Sequence, residues 1–250
     1  MSKNNSIENH DPHFKNVKKC FEKLANRQSY YTVFQDFVDF SLLMLDINKK
    51  PEDFADLETR WTTDTEYKLF AEMYLSWADY SVDFKDGLGD IFMEYISGGR
   101  NGQFFTPEPL CNMMAALTHV NTLSNGQSIC DPACGSGRTL LAAAKINRNL
   151  NFYGADNDSL CAKMTALNMI INTMTGEVAH MDTLSMEHYK SWHIKTIPFG
   201  TGKLPTYFTT GPGQTFFIER LEKSSFKSDA THVTIPEDVG ANKKGQYILF

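Results

Sequence analysis

The chain has 250 residues, 42% of them hydrophobic and 22% charged, with a formal net charge of −6. That is enough for one packed core plus a smaller companion. The acidity argues against strong unaided binding to DNA phosphates, and no apolar run approaches the roughly 20 residues that span a bilayer.

Met1 to His13 is polar and lacks the apolar core of a secretion signal. The five cysteines (Cys20, Cys111, Cys130, Cys134, Cys161) are scattered, which fits a reduced, cytoplasmic protein. Cys130 and Cys134 are close but lack the further ligands of a zinc site, so no metal is expected. Residues 1–100 predict helices. Phe34, Phe37, Val38, Phe40, Leu42 and Leu45 form a dense apolar block without strand-like alternation. Phe70, Met73, Tyr74 and Trp77, and then Leu88, Ile91, Phe92 and Tyr95, recur at helical spacing. This aromatic stripe reads as packing.

From Gln127 the pattern changes. Gln127–Asp131 predicts a strand, Gly137–Asn147 a helix, Asn151–Ala155 a strand, Asp158–Thr173 a helix and Glu177–Met181 a strand. Alternation of this kind predicts an α/β fold, a parallel sheet with flanking crossover helices. His193–Ile197 is a candidate fourth strand and Thr231–Ile235 a fifth. The glycine-, proline- and threonine-rich stretch Gly200–Gln214 reads as loop, and residues 224–250 as a flexible tail.

The informative run is Asp131-Pro132-Ala133-Cys134-Gly135-Ser136-Gly137, where the first predicted strand turns into a helix. Ligands of doubly wound sheets bind at the carboxyl ends of strands, near this turn. A dinucleotide loop wants a third small residue three positions on, and Leu140 stands there. Asp131 would repel a pyrophosphate but suits a ligand carrying sulfonium and ammonium charge. Asp156 ends the second strand, where a carboxylate can accept from ribose hydroxyls. Asp182 follows the third, placed to receive the amine of an adenine. An NAD-linked oxidoreductase is therefore disfavoured by Leu140 and Asp131.

Gly102-Gln103-Phe104-Phe105-Thr106-Pro107, the Asp131–Gly137 run, Gly154-Ala155-Asp156 and Asp86-Gly87-Leu88-Gly89-Asp90-Ile91-Phe92 resemble, in order and spacing, the methylation subunit of type I restriction–modification systems. The resemblance runs from about Asp86 to Leu184. It implies a Rossmann-like, S-adenosylmethionine-dependent N6-adenine DNA methyltransferase. Phe105, Thr106 and Pro107 would line the methionine end of the cofactor. Asp131, Pro132, Ala133, Gly135 and Gly137 would form the first loop, Asp156 would take the ribose and Asp182 the adenine. The domains expected are a helical region 1–100, a methyltransferase cofactor-binding domain 101–223 and the tail.

The family's catalytic Asn/Asp-Pro-Pro-Phe/Tyr, which follows the fourth strand, does not occur. The best-placed candidate is Thr196-Ile197-Pro198-Phe199, which keeps a proline and the aromatic ring. Thr196, Pro198 and Phe199 are the candidate catalytic residues, although one hydroxyl does not replace a planar amide or acid. The alternative is a catalytically degenerate fold that binds cofactor and a protein partner. Gln246-Tyr247-Ile248-Leu249-Phe250 resembles the Gln-x-x-Leu-Phe peptide that docks replication proteins on the sliding clamp. By that resemblance Gln246, Leu249 and Phe250 are candidate contacts, and DNA is reached directly or through such a partner.

Overall fold

The structure, a computed structural model, describes residues 11–97, 104–200 and 202–216, and the backbone of 246–248. It divides into two compact units, Met1–Phe104 and Phe105–Phe250.

The first unit is helical, as its 3.6-residue apolar spacing predicts. Helix α1 (Pro12–Leu24) is capped by Asp11, and α2 (Tyr30–Leu45) by Ser29. A short α3 (Ala55–Arg60) leads into α4 (Asp64–Ser81). There Thr63 and Glu66 form a reciprocal capping box. Helix α5 (Gly87–Tyr95) starts on Asp86, whose Oδ1 accepts from Gly89 N at 2.9 Å. The aromatic stripe is indeed core. Phe21, Phe34, Phe37, Trp61 and Trp77 are fully buried, with Phe37 and Trp77 meeting edge to face.

The second unit opens with α6 (Glu108–Leu117), which has Pro107 at its N-cap. Then come β1 (Ser128–Asp131), α7 (Arg138–Ile146), β2 (Asn151–Asp156), α8 (Ser159–Ile171) and β3 (Thr175–Asp182). Strands β1, β2 and β3 pair in parallel, as expected of strand–helix alternation. Beyond β3 the structure departs from a parallel sheet. Strand β4 (Glu187–Phe199) turns back antiparallel on β3, and β5 (Gly202–Thr210) turns back on β4. Parallel neighbours need a long crossover, and only a few residues separate Asp182 from Glu187, so a hairpin is the accessible connection. The sheet is therefore mixed. Most of Gly200–Gln214, expected as loop, is the strand β5. Its threonines and aromatics suit a pleated surface, and its glycines punctuate the ends.

Strand β6 (Gln246–Ile248) pairs in parallel with β1 on the side away from β2, giving the order β5-β4-β3-β2-β1-β6. Gln246, expected as a clamp contact, thus lies in a sheet strand. Backbone pairing with β1 competes with docking of the same peptide elsewhere. Leu249, Phe250, the candidate strand Thr231–Ile235 and nearly all of the expected tail lie outside the described residues. Among the described residues no helix is long and apolar enough to cross a membrane.

The β3–β4–β5 hairpins close on a buried polar network that sequence reading missed. Glu177, 1% exposed, accepts from Ser191 Oγ at 2.7 Å, from Thr215 Oγ1, and from Phe216 N at 3.0 Å. Gly213 N donates to His188 Nδ1 at 3.0 Å, so the ring proton sits on Nε2, 2.9 Å from Ser191 Oγ. Burial holds the pKa of both His188 and His193 below the ordinary imidazole value. Removing the carboxylate strands three donors in a dry site. Glu177→Ala is expected to destabilise the chain by about 3 kcal/mol, read as an earlier urea midpoint, whereas loss of an exposed acid such as Glu187 is expected to leave the midpoint within error.

Candidate cofactor site

The three parallel strands end on three carboxylates, and the turn after β1 lies at the switch between β2 on one side and β6 on the other. Asp131 is buried. Its Oδ1 accepts from Ala133 N at 3.0 Å and its Oδ2 from the Thr139 hydroxyl. Burial raises its pKa above the ordinary carboxylate range, against the pull of those two hydrogen bonds. Both Asp131 oxygens are thus engaged within the loop, where the sequence places this residue.

Asp156 is more open. Its Oδ2 accepts from Gly135 N and its Oδ1 from Asp158 N, both at 2.8 Å. Each oxygen keeps a second lone pair for a hydroxyl donor. Burial raises this pKa as well. Asp182 Oδ1 accepts from Leu184 N at 2.8 Å and Ser185 N at 3.2 Å, which together hold its pKa down. Thr183 Oγ1 donates to Pro132 O at 3.2 Å and so ties the end of β3 to the first loop.

The loop itself needs glycine. Gly135 stands at φ +54°, and a Cβ there would come within 2.9 Å of the Phe105 ring. Phe105, expected from sequence to line the site, is thereby placed against the loop, with the Arg138 guanidinium 6.0 Å from its ring centre. Thr106 precedes the N-cap Pro107, and its carbonyl accepts from Cys111 Sγ at 3.5 Å, which anchors the segment to α6.

Two supporting residues went unnoticed in the sequence. Thr165 Oγ1 donates to Gly135 O at 2.8 Å and Asn168 Nδ2 donates to Ser136 O at 2.8 Å. Both are fully buried on α8. Their spacing of three residues, off the apolar stripe of Leu160, Met164 and Leu167, was the available signal.

Thr196, Pro198 and Phe199 do not join this site. Ile194 is already level with Gly176 at the amino end of β3, while Glu187 is level with Asp182. At roughly 3.3 Å per residue, the level of Ile194 lies about 20 Å below that of Asp182, and Thr196–Phe199 lies farther still. The antiparallel turn of β4 carries the tetrapeptide to the opposite edge of the sheet. The strand end that flanks the loop across the switch point is instead that of β6, where Ile248 is level with Cys130.

The residues fit S-adenosylmethionine better than a phosphate-bearing nucleotide. Ionised Asp156 and Asp182 are acceptors only, which suits ribose hydroxyls and an adenine amine. Asp131 and Asp156 together set a negative field that repels pyrophosphate and favours a sulfonium. This has a pH consequence. Affinity for a cationic cofactor is expected to fall as pH drops, starting above the ordinary carboxylate range, because Asp131 and Asp156 protonate early. Asp182 stays ionised and does not contribute to the fall. Calorimetric titrations from about pH 8 down into the ordinary carboxylate range at about pH 4 check this, and an affinity that stays flat throughout would contradict it.

Residues 85–199 match the family described as N-6 DNA methylase. The methylase subunit of the type I restriction enzyme MjaIX from Methanocaldococcus jannaschii is 32% identical over a match covering 44% of this chain and 24% of that protein. The corresponding MpnII subunit from Mycoplasma pneumoniae is 21% identical, covering 72% of this chain and 39% of that one. The chain thus spans less than half the length of these curated relatives. A solved structure of a class I S-adenosylmethionine-dependent methyltransferase from Listeria monocytogenes superposes with a TM-score of 0.48 at 16% identity, covering 83% of this chain and 67% of that chain.

Proposed function

We propose, from the match of residues 85–199 to the N-6 DNA methylase family, that this chain binds S-adenosylmethionine as the cofactor-holding part of an adenine-methylating DNA methyltransferase. One observation carries the reading. Carboxylates end three adjoining parallel strands around a glycine loop at the switch point of the sheet. In this reading Asp156 receives the ribose hydroxyls and Asp182 the adenine amine, while Phe105 closes over the loop. Thr106 and Pro107 fix the approach of that segment. Asp131, Pro132, Ala133, Gly135 and Gly137 shape the cradle. The cofactor supplies a methyl group on a positively charged sulfur. The chain's part is to orient that charge and to set carboxylates beside it.

The target adenine belongs on the β1–β6 side, since the switch point opens there. A flipped base held at that edge would present its amine to the loop. Transfer further requires acceptors for the amine hydrogens and a ring to stack on the base. Thr196, Pro198 and Phe199 are too far away to supply them. DNA, and the other subunits of a restriction–modification assembly, are the partners this reading implies. A reducing cytoplasm suits the five cysteines, none of which is in a disulfide.

The test is calorimetric titration of the chain with S-adenosylmethionine and S-adenosylhomocysteine, run beside transfer of tritiated methyl to mixed-sequence DNA. Binding in the micromolar range is expected, and no heat at millimolar cofactor overturns the reading. Label entering DNA establishes the full enzyme. Binding without label favours the cofactor- and partner-binding module.

A further inference from the structure

Between α2, α3 and α4 of the first unit lies a cavity of about 190 Å³. Its wall is made of the rings of Phe40, Phe54, Trp61, Tyr67 and Phe70 with the Leu57 side chain, and one carboxylate, Glu58, stands in the lining. Adjoining rings meet at steep angles, 65° for Phe40 with Phe54, 47° for Phe40 with Phe70 and 72° for Trp61 with Phe70. The wall is therefore a cup of rings and not a flat stack. We propose that this aromatic cup, with Glu58 in its wall, is a binding site for a small quaternary ammonium compound of about the size of choline.

Three features favour a cation over a neutral apolar guest. Aromatic faces carry negative quadrupole density, and clustered rings attract a desolvated cation that cannot hydrogen-bond. The surroundings are strongly acidic. From Asp36 to Phe70 the chain holds nine carboxylates against four cations, which accounts for most of its net charge of −6. Glu58 is exposed and, with Glu66, acts on the Tyr67 hydroxyl, whose pKa is pushed up by burial and by these two charges. The nearby cation Arg60 is neutralised locally, since its Nε and Nη2 donate to Asp36 at 2.9 and 2.7 Å.

The cup is also built in advance. Trp61 is 1% exposed, and its indole Nε1 donates to Asp36 Oδ2 at 2.8 Å. The same buried carboxylate thus fixes the tryptophan ring and occupies the arginine. Such preorganisation removes the cost of ordering the site on binding. The volume is slightly larger than the roughly 150 Å³ cavity known to admit one benzene ring. One trimethylammonium head fits and a nucleotide does not.

The test is titration of the full chain with choline, with tetramethylammonium, and with the neutral isostere 3,3-dimethylbutan-1-ol at matched ionic strength. It is followed through the Trp61 indole N–H resonance. Both cations are expected to shift that resonance with at least fivefold higher affinity than the alcohol. Glu58→Gln, a change at an exposed site, is expected to weaken choline binding about threefold and leave the alcohol unaffected. Tyr67→Leu is expected to weaken choline further. Equal affinity for the alcohol and choline, or no shift with either cation at tens of millimolar, overturns the proposal. An unchanged choline affinity in Glu58→Gln and Tyr67→Leu together also overturns it. The site is independent of the cofactor loop, so Gly135→Ala is expected to leave choline binding intact whatever it does to S-adenosylmethionine.

Discussion

Gly135→Ala is expected to lower S-adenosylmethionine affinity by at least tenfold while the chain stays folded. At φ +54° an L-residue pays roughly 1–2 kcal/mol for the left-handed conformation, and the new Cβ would stand 2.9 Å from the Phe105 ring. The ring is the far end of a movable side chain, so the fold survives by displacing it. That displacement changes the wall of the site. Gly135 is also tied on both sides, its N–H to Asp156 and its carbonyl to the Thr165 hydroxyl. The backbone cannot relax without turning Asp156 away from the ribose it is proposed to hold. Every 1.4 kcal/mol lost is a factor of ten in affinity, so backbone strain and ring displacement together reach that factor. Calorimetry beside circular dichroism reads both quantities. Unchanged affinity in a folded variant would remove the loop from the cofactor site.

Gly176→Ala is expected to have the largest effect on stability of any methyl addition at the described glycines of the second unit. Gly176 is at φ +151°, and its Cβ would lie 1.7 Å from the carbonyl oxygen of Phe152 on the paired strand β2. The obstacle is backbone, which cannot rotate away as a side chain can. Either β2 and β3 separate locally or the strand reverses its local conformation. Both break the parallel ladder that brings Asp156 and Asp182 to one end of the sheet. The cost is set at more than about 4 kcal/mol, beyond the ordinary range of point mutations, and insoluble expression or a collapsed urea midpoint is the expected readout. A variant with native stability would mean that β2 and β3 do not pair in this register.

Prediction from sequence succeeded where the physics is local. The glycine loop, the strand before it and the acids Asp131 and Asp156 were legible because a strand-to-helix turn leaves its mark within a dozen residues. The helical first unit was legible because its aromatic residues repeat at the helical period. The positions of Thr165 and Asn168 left only a faint mark, their three-residue spacing beside the apolar stripe, because α8 is buried on nearly every side and its polar residues do not separate onto a solvent face. The Glu177 network was hidden for a different reason. Its members come from β3, β4 and the segment after β5, and each alone looks like an ordinary strand residue.

The sequence by itself determined the elements from β1 to β3, the glycine turn between β1 and α7, and the match of residues 85–199 to the N-6 DNA methylase family, since these depend on short-range spacing and on residue type. Strand direction was decided only in the tertiary structure. Thr196-Ile197-Pro198-Phe199 has the look of a catalytic tetrapeptide in one dimension. The antiparallel return of β4 puts it at the edge of the sheet opposite Asp131, Asp156 and Asp182. The strand that does flank the glycine loop, β6, arrives from the far end of the sequence. Pairing between strands is a long-range choice made by whole sheet faces and connection lengths, and no window of local sequence contains it.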